Sequence, residues 1–195
     1  MARQRLLHPR EQMLQAAMAA IAEHGSAQLT MAALGRRLDT SGGHLLYYFG
    51  SKDQLLLETL KWSEEQLAPR RKALLELDAP ERDRLRAYVE LYAPERAGDP
   101  RWLLWVDVWS RTASVPELRD AQADLDRAWH DTLVTLLPGP GADSFSVRLR
   151  AMLDGFSTQL VIGVPGITRE AVVAHALALL PPVTRDHPAS ETGAP

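Results

Sequence analysis

At 195 residues and a formal charge of −3, the chain has room for one compact fold, or a small module joined to a larger body, but not for two unrelated large domains. It contains no cysteine, which excludes disulfides, thiolate nucleophiles, iron–sulfur clusters and cysteine-based redox sensing. No run approaches the ~18 apolar residues of a membrane span, and Met1-Ala2-Arg3-Gln4-Arg5 does not open a signal core, so a cytoplasmic protein without membrane contact is expected.

Helical spacing dominates along the chain. After Pro9, suited to a first helical turn, Leu14, Ala17, Met18 and Ile21 recur at i, i+3, i+4 and i+7 until Gly25, which predicts a first helix. Thr30 offers a cap for a short second helix over 31–38, with Met31, Leu34 and Leu38 on one face, and Asp39-Thr40-Ser41-Gly42-Gly43 breaks it. Leu45 and Phe49, one turn apart, predict two turns of a third helix over 42–48, ended by Gly50. Ser51 caps a fourth that runs to roughly Leu77, with Asp53 in its first turn, where the helix dipole favours an acid.

A fifth helix follows over 81–92, then a break from Pro94 to Pro100 and a sixth helix with Trp102, Trp105, Val106 and Trp109 on one face. Pro116 opens a seventh, striped by Leu118, Leu125, Trp129, Leu133 and Leu136, and Pro138-Gly139-Pro140-Gly141 ends it. Leu149, Met152, Leu153, Phe156 and Leu160 mark an eighth; Val173, Ala176, Leu177 and Leu180 mark a ninth, beyond Gly163-Val164-Pro165-Gly166. Residues 185–195 lack apolar anchors and are expected to form a disordered tail. The expected fold class is all-α with about nine helices.

Charge is distributed unevenly. Residues 1–52 carry six Lys/Arg against three Asp/Glu, and the rest sixteen against twenty-two. A basic head on an acidic body suits a phosphate-contacting module attached to something that must not stick to DNA. Within that head, two short helices joined by a tight turn form a helix-turn-helix pattern. With Leu45 and Phe49 inward, Gly42, Gly43, His44, Tyr47 and Tyr48 lie near the turn or on the outer side of the third helix. Glycines at a helix start let backbone N–H groups approach phosphate, and His or Tyr can reach phosphate oxygens or base edges. Lys52 adds positive charge beside them. Taken alone, a Tyr-Tyr pair is more often packing and a lone Lys more often solvated surface.

Residues 10–60 resemble the DNA-binding region of TetR-family repressors. Ala16-Ala17, Ile21 and Gly25, then Leu29-Thr30-Met31 and Leu34, then Ser41, Gly43, Leu45, Tyr48-Phe49, Ser51-Lys52 and Leu55-Leu56 carry the likeness. The resemblance implies a dimer on a pseudo-palindromic double-stranded DNA operator. By it Thr30, Arg36, Thr40, Ser41, Gly42, His44, Tyr47, Tyr48 and Lys52 are the DNA-contacting set, with Thr30 and Lys52 on phosphate. Three positions depart from the family pattern: Leu46 where a tyrosine is usual, Gly35 where alanine is common, and Asp39 where glycine is common. Asp enters the left-handed conformation more readily than most residues.

The run Trp102 to Trp109, with Val115-Pro116-Glu117-Leu118, resembles the body of the family subgroup that includes a choline-responsive regulator of betaine synthesis. That likeness implies five body helices, the last two pairing with their symmetry mates, and Leu153, Leu160, Val173 and Leu177 are the interface candidates. Trp102, Trp105, Trp109, Trp129, Met152 and Phe156 are the candidates for an effector pocket. Their tryptophans read first as core and second as an aromatic box for a quaternary ammonium group. Asp107 lies about 200° around the helix from Trp105, away from that stripe.

No nucleophile elbow, zinc-binding His-Glu-x-x-His or phosphate-cradling glycine loop occurs, so neither an enzyme, a metal site nor a cofactor is expected. The division expected is a DNA-binding head over 1–52, an effector-binding and dimerisation body over 53–184, and a tail over 185–195. The expected function is a regulator, read first as a repressor, released from DNA by an unknown small molecule. Two alternatives remain open at this point: a helical protein-interaction module without DNA binding, and an activator of the same fold.

Overall fold

The computed structural model describes residues 9–180; the expected tail lies outside them. Among the described residues the elements are α1 (Pro9–His24), a 3-10 turn (Ser26–Gln28), α2 (Met31–Arg37), α3 (Gly42–Phe49), α4 (Lys52–Leu75), α5 (Glu81–Tyr92), α6 (Pro100–Thr112), α7 (Pro116–Leu136), α8 (Ala142–Val161) and α9 (Arg169–Ala178).

One capping device starts several of these helices. The hydroxyls of Thr30, Ser41, Ser51 and Thr168 each accept from the backbone N–H three residues on, at 3.0, 3.1, 3.0 and 3.2 Å. Each removes one unpaired donor from a helix start and fixes where the helix begins. Gly141, with φ 83°, lets the Pro138–Gly141 loop close tightly, so α8 begins at Ala142, well before its first buried leucine.

The head is a three-helix unit built on Met13, Ala17, Ile21, Leu34, Leu45 and Phe49, all buried. Leu55 and Leu56 of α4 are buried in the same continuous core. α4 begins at the expected boundary between residues 52 and 53, and its first turns are packed into the head. It is 24 residues long, about 36 Å, and packs against α1 and α3 near its start and against α5, α6 and α7 farther along. α6 also packs on α1, giving head and body a second joint.

In the body, α7 packs on α4, α6 and α8, while α9 packs on α5 and α8. Leu153, Leu160, Val173 and Leu177, expected at a dimer interface, are placed inside the protomer, with exposures of 0, 7, 5 and 2 %. The outer side of α8 is carried instead by Val147, Ala151, Gly155 and Gln159 at four-residue spacing, with Ile162 just beyond. On α9 the exposed residues include Ala174, Ala178 and, at its end, Leu179.

Candidate nucleic-acid interface and effector site

The angle and spacing of the two short helices are set by glycines. A Cβ at Gly35 would stand 2.8 Å from the Gly42 nitrogen and from the Ser41 carbonyl carbon, and one at Gly42 would meet the Met31–Ala32 backbone at 3.2 Å. α2 and α3 touch backbone to backbone here. The turn between them passes through Asp39 at φ 51°, the left-handed conformation expected of that position. Thr40 N–H then donates to the Gly35 carbonyl at 2.8 Å, closing the turn.

With α3 pinned inward by Leu45 and Phe49, Ser41, Gly43, His44, Leu46 and Tyr47 are exposed, and Gly42 and Thr40 are half-buried. Tyr47 is 84 % exposed. Tyr48 turns partly inward and stacks edge-on against His44 and Tyr47, with centroids 5.1 and 5.7 Å apart. Thr30 and Arg36 are exposed on the same unit, and Lys52 donates to the Ser26 carbonyl at 3.3 Å. Arg37 is held by Glu23 through two 2.7 Å hydrogen bonds, which push the Glu23 carboxyl below its ordinary value.

Arg10, which no sequence motif points to, braces this surface from behind. It donates to the Tyr48 carbonyl at 3.3 Å, pairs with Glu58 of α4 at 3.1 Å and covers the Phe49 ring at 5.0 Å. A second brace joins the head to α6: Arg111 donates to Asp53 at 2.5 Å and to Asp107 at 3.0 Å.

The body holds a buried aromatic cage around one carboxylate. Glu64 of α4 is 1 % exposed. Its Oε1 accepts from the Trp105 indole N–H at 2.8 Å and from Arg101 at 3.1 Å, and its Oε2 from the Trp129 indole N–H at 2.8 Å. Arg71 stands 3.7 Å from Oε2 with its guanidinium 5.0 Å from the Trp129 ring centre. Tyr92 packs edge-on against Trp102 and Trp129 at 5.6 and 5.0 Å, and Trp109 closes on Trp102 and Trp105 at 5.9 and 5.5 Å.

Four of the six expected pocket residues thus come together, as packed core and not as an open box. Met152 is half-buried on α8, and Phe156 stacks on His175 of α9 at 4.9 Å. Glu64 was missed, although it continues the apolar row of Leu56 and Leu60 at four-residue spacing, and an acid in such a row is a legible signal.

Behind the cage, Tyr88 donates to the Trp129 carbonyl at 3.1 Å and Tyr92 donates to Asp154. Burial pushes the Asp154 carboxyl up to about 6, against the lowering effects of Tyr92 and Arg150. Burial likewise pushes the Tyr88 and Tyr92 phenols up. Elsewhere His130 bridges Ser146 and Asp143 at 3.0 Å each, but Ser146 is fully buried, so the three tie α7 to α8 and offer no nucleophile. Among the described residues no cluster of His, Asp or Glu could hold a metal ion, and no helix is long and apolar enough to cross a membrane.

A helix-turn-helix with an exposed third helix, joined by a long α4 to a helical body with a buried polar cage, defines a transcriptional regulator with a separate sensing body. Residues 13–59 match the family model for bacterial regulatory proteins of the tetR family, and residues 80–183 match the model for the C-terminal part of BetI-type transcriptional repressors. The chain belongs to the TetR family of transcriptional regulators.

Among curated relatives, the HTH-type transcriptional regulator BetI of Burkholderia mallei is 32% identical over 153 residues, covering 75% of this chain and 78% of that protein. The regulator BetI 1 of Chromohalobacter salexigens is 28% identical over 166 residues, covering 81% of each. Among solved structures, a putative transcriptional regulator from Saccharomonospora viridis in complex with choline is similar, with a TM-score of 0.75 and 28% identity over 86% of this chain and 92% of that one. The regulator FadR of Bacillus subtilis, in complex with stearoyl-CoA, shares the fold with a TM-score of 0.69 at 20% identity, over 87% of this chain and 96% of that one.

Proposed function

We propose that two copies of this chain repress transcription in the cytoplasm by gripping a pseudo-palindromic operator, and that a small molecule bound in the body releases them. The observation that carries this is the outer side of α3, where Gly43, His44, Leu46 and Tyr47 stand exposed on a helix whose other side is buried. Two such helices related by a two-fold axis enter successive major grooves about 34–36 Å apart. In this reading His44 and Tyr47 touch base edges or phosphate, and Thr30, Arg36, Thr40, Ser41, Gly42, Tyr48 and Lys52 complete the contact surface.

Leu46, 45 % exposed, brings no hydrogen-bond donor to it. Tyr47 supplies the phenol that Leu46 lacks. The partner chain packs on the exposed side of α8 and α9, where Val147, Ala151, Gly155 and Ile162 offer small or apolar surface. The body around Glu64, Trp105 and Trp129 senses the effector, a reading supported by the choline held in the Saccharomonospora viridis relative.

Selection of bound sequences from random DNA tests the whole reading. An enriched inverted repeat is expected, and no enrichment overturns it. On the selected site, Tyr47→Ala should weaken binding by about 1–3 kcal/mol with the thermal midpoint unchanged. Equal affinity in a gel-shift titration would remove Tyr47 from the interface.

A further inference from the structure

The third helix is held at its two ends by different means. At its start Gly42 lies against the backbone of α2, where an added Cβ would stand 3.2 Å from Met31 and Ala32. At its far end the last carbonyls of a helix have no partner within it. One of these, the carbonyl of Tyr48, accepts from Arg10 Nη1 at 3.3 Å, across 38 residues of chain. A cation in that place also complements the negative end of the helix dipole.

The same guanidinium reaches α4. Its Nη2 stands 3.1 Å from Glu58 Oε2, and its face covers the Phe49 ring at 5.0 Å. The other carboxylate oxygen of Glu58 accepts from Gln54 at 2.9 Å, which fixes Glu58 to its own helix. Beside the pair a cleft of about 590 Å³, lined by Arg10, Leu14, Glu58, Lys61, Trp62 and Glu65, lies between the first turns of α1 and the middle of α4. Arg10 is the tie at the edge of this cleft. A shift of α4 moves Glu58, Glu58 draws Arg10, and Arg10 draws the end of α3.

Because α3 spans only 8 residues, about 12 Å, a tilt of about 5° about its start carries its far end by about 1 Å. Hydrogen bonds to base edges fail beyond about 3.5 Å and do not survive such a shift, whereas long side chains re-form phosphate contacts by rotating. We propose that Arg10 is a positioning residue that sets operator specificity: it ties the end of α3 to Glu58, so that the position of α4 governs specific DNA binding and leaves nonspecific binding alone. This rests on the reading of α3 as the DNA-reading helix and adds a specificity-determining residue that touches neither base nor phosphate.

The test compares the full chain and its variants on the operator selected from random DNA and on a scrambled duplex of equal length, each over a range of salt concentrations. Arg10→Met keeps the stem and should lose about tenfold in affinity for the operator, the worth of one charge-assisted hydrogen bond, with affinity for the scrambled duplex unchanged. The slope of log affinity against log salt should also stay as it was, since a lost phosphate contact would lower it by about one per head. Glu58→Gln should weaken operator binding in the same direction, and Arg10→Met with Glu58→Gln should be no weaker than Arg10→Met alone. Arg10→Lys keeps the charge on one nitrogen that cannot serve both acceptors, so it should recover part of the loss, and it carries the comparison if Arg10→Met does not fold. Equal losses on both duplexes, a slope lowered by one per head, or tighter binding by Glu58→Gln would make Arg10 a phosphate contact and overturn the proposal. Unchanged operator affinity in the folded variants overturns it as well. Failure of the unmodified chain to select any operator refutes the regulator reading itself.

Discussion

Gly35 fixes how closely α2 approaches α3. With the α3-side backbone 2.8 Å from where a Cβ would be, Gly35→Ala has no flexible side chain to push aside and must separate the two helices. A loss of about 1–3 kcal/mol in stability is expected, read in a denaturant titration, with a larger fall in DNA affinity because α3 is re-aimed. A residue that the family pattern makes look replaceable by alanine is therefore held in α2 by backbone contact with the start of α3. Asp154 gives a prediction of a different kind. Burial raises its folded value to about 6 from the ordinary 3.8, so the folded state holds the proton more tightly than the unfolded chain does. Its stabilising contribution is largest below the unfolded value and is lost as pH rises through about 4 to 6, a difference of roughly 3 kcal/mol at most. Asp154→Asn, which can still accept from Tyr92, should remove that slope. Equal pH dependence of the thermal midpoint in both proteins would show that Asp154 does not titrate there.

At the scale of the element, α6 grips α4 at two points: Trp105 on Glu64 in the cage and Arg111 on Asp53 at the head. A rigid helix fastened at both ends carries a displacement of one joint to the other. Arg111→Met keeps the stem and removes the charge. Because the pair is about one-third exposed, it should cost under ~1 kcal/mol of stability and leave operator affinity nearly unchanged, but blunt release by effector. Retained release in an operator titration with and without effector would rule α6 out as the link. The helices themselves were legible in the sequence because 3.6-residue periodicity and Ser or Thr caps report local geometry. The pairing of Arg10 with Glu58, Arg101 with Glu64 and Arg111 with Asp53 was not, since each crosses elements tens of residues apart and nothing in the spacing says which carboxylate an arginine will reach.

At the scale of the whole molecule, the proposed dimer packs on the exposed side of α8. Gly155 has nothing within 4 Å of an added Cβ, so the protomer tolerates a large side chain there. Gly155→Arg should leave the protomer folded, as judged by circular dichroism, yet turn a dimer into a monomer by light scattering and lower operator affinity with it. A dimer that survives the substitution would move the interface elsewhere. The interface candidates implied by the resemblance face the protomer's own core because α5 lies over α9 and α7 over α8. A helical apolar stripe records that a face is covered without recording whether the cover comes from the same chain.

What the amino-acid order determined by itself was local: the nine α-helices among the described residues, the caps at Thr30 and Ser51, the left-handed turn at Asp39, and the outer face of α3 that follows once Leu45 and Phe49 point inward. Those properties depend on residues within a turn or two of one another. Whether four tryptophans enclose a ligand or one another, and which cation keeps Glu64 company, only the tertiary structure decided. Burial of a charge and the stacking of rings depend on where four separate helices converge, and that convergence is fixed by the packing of the whole core.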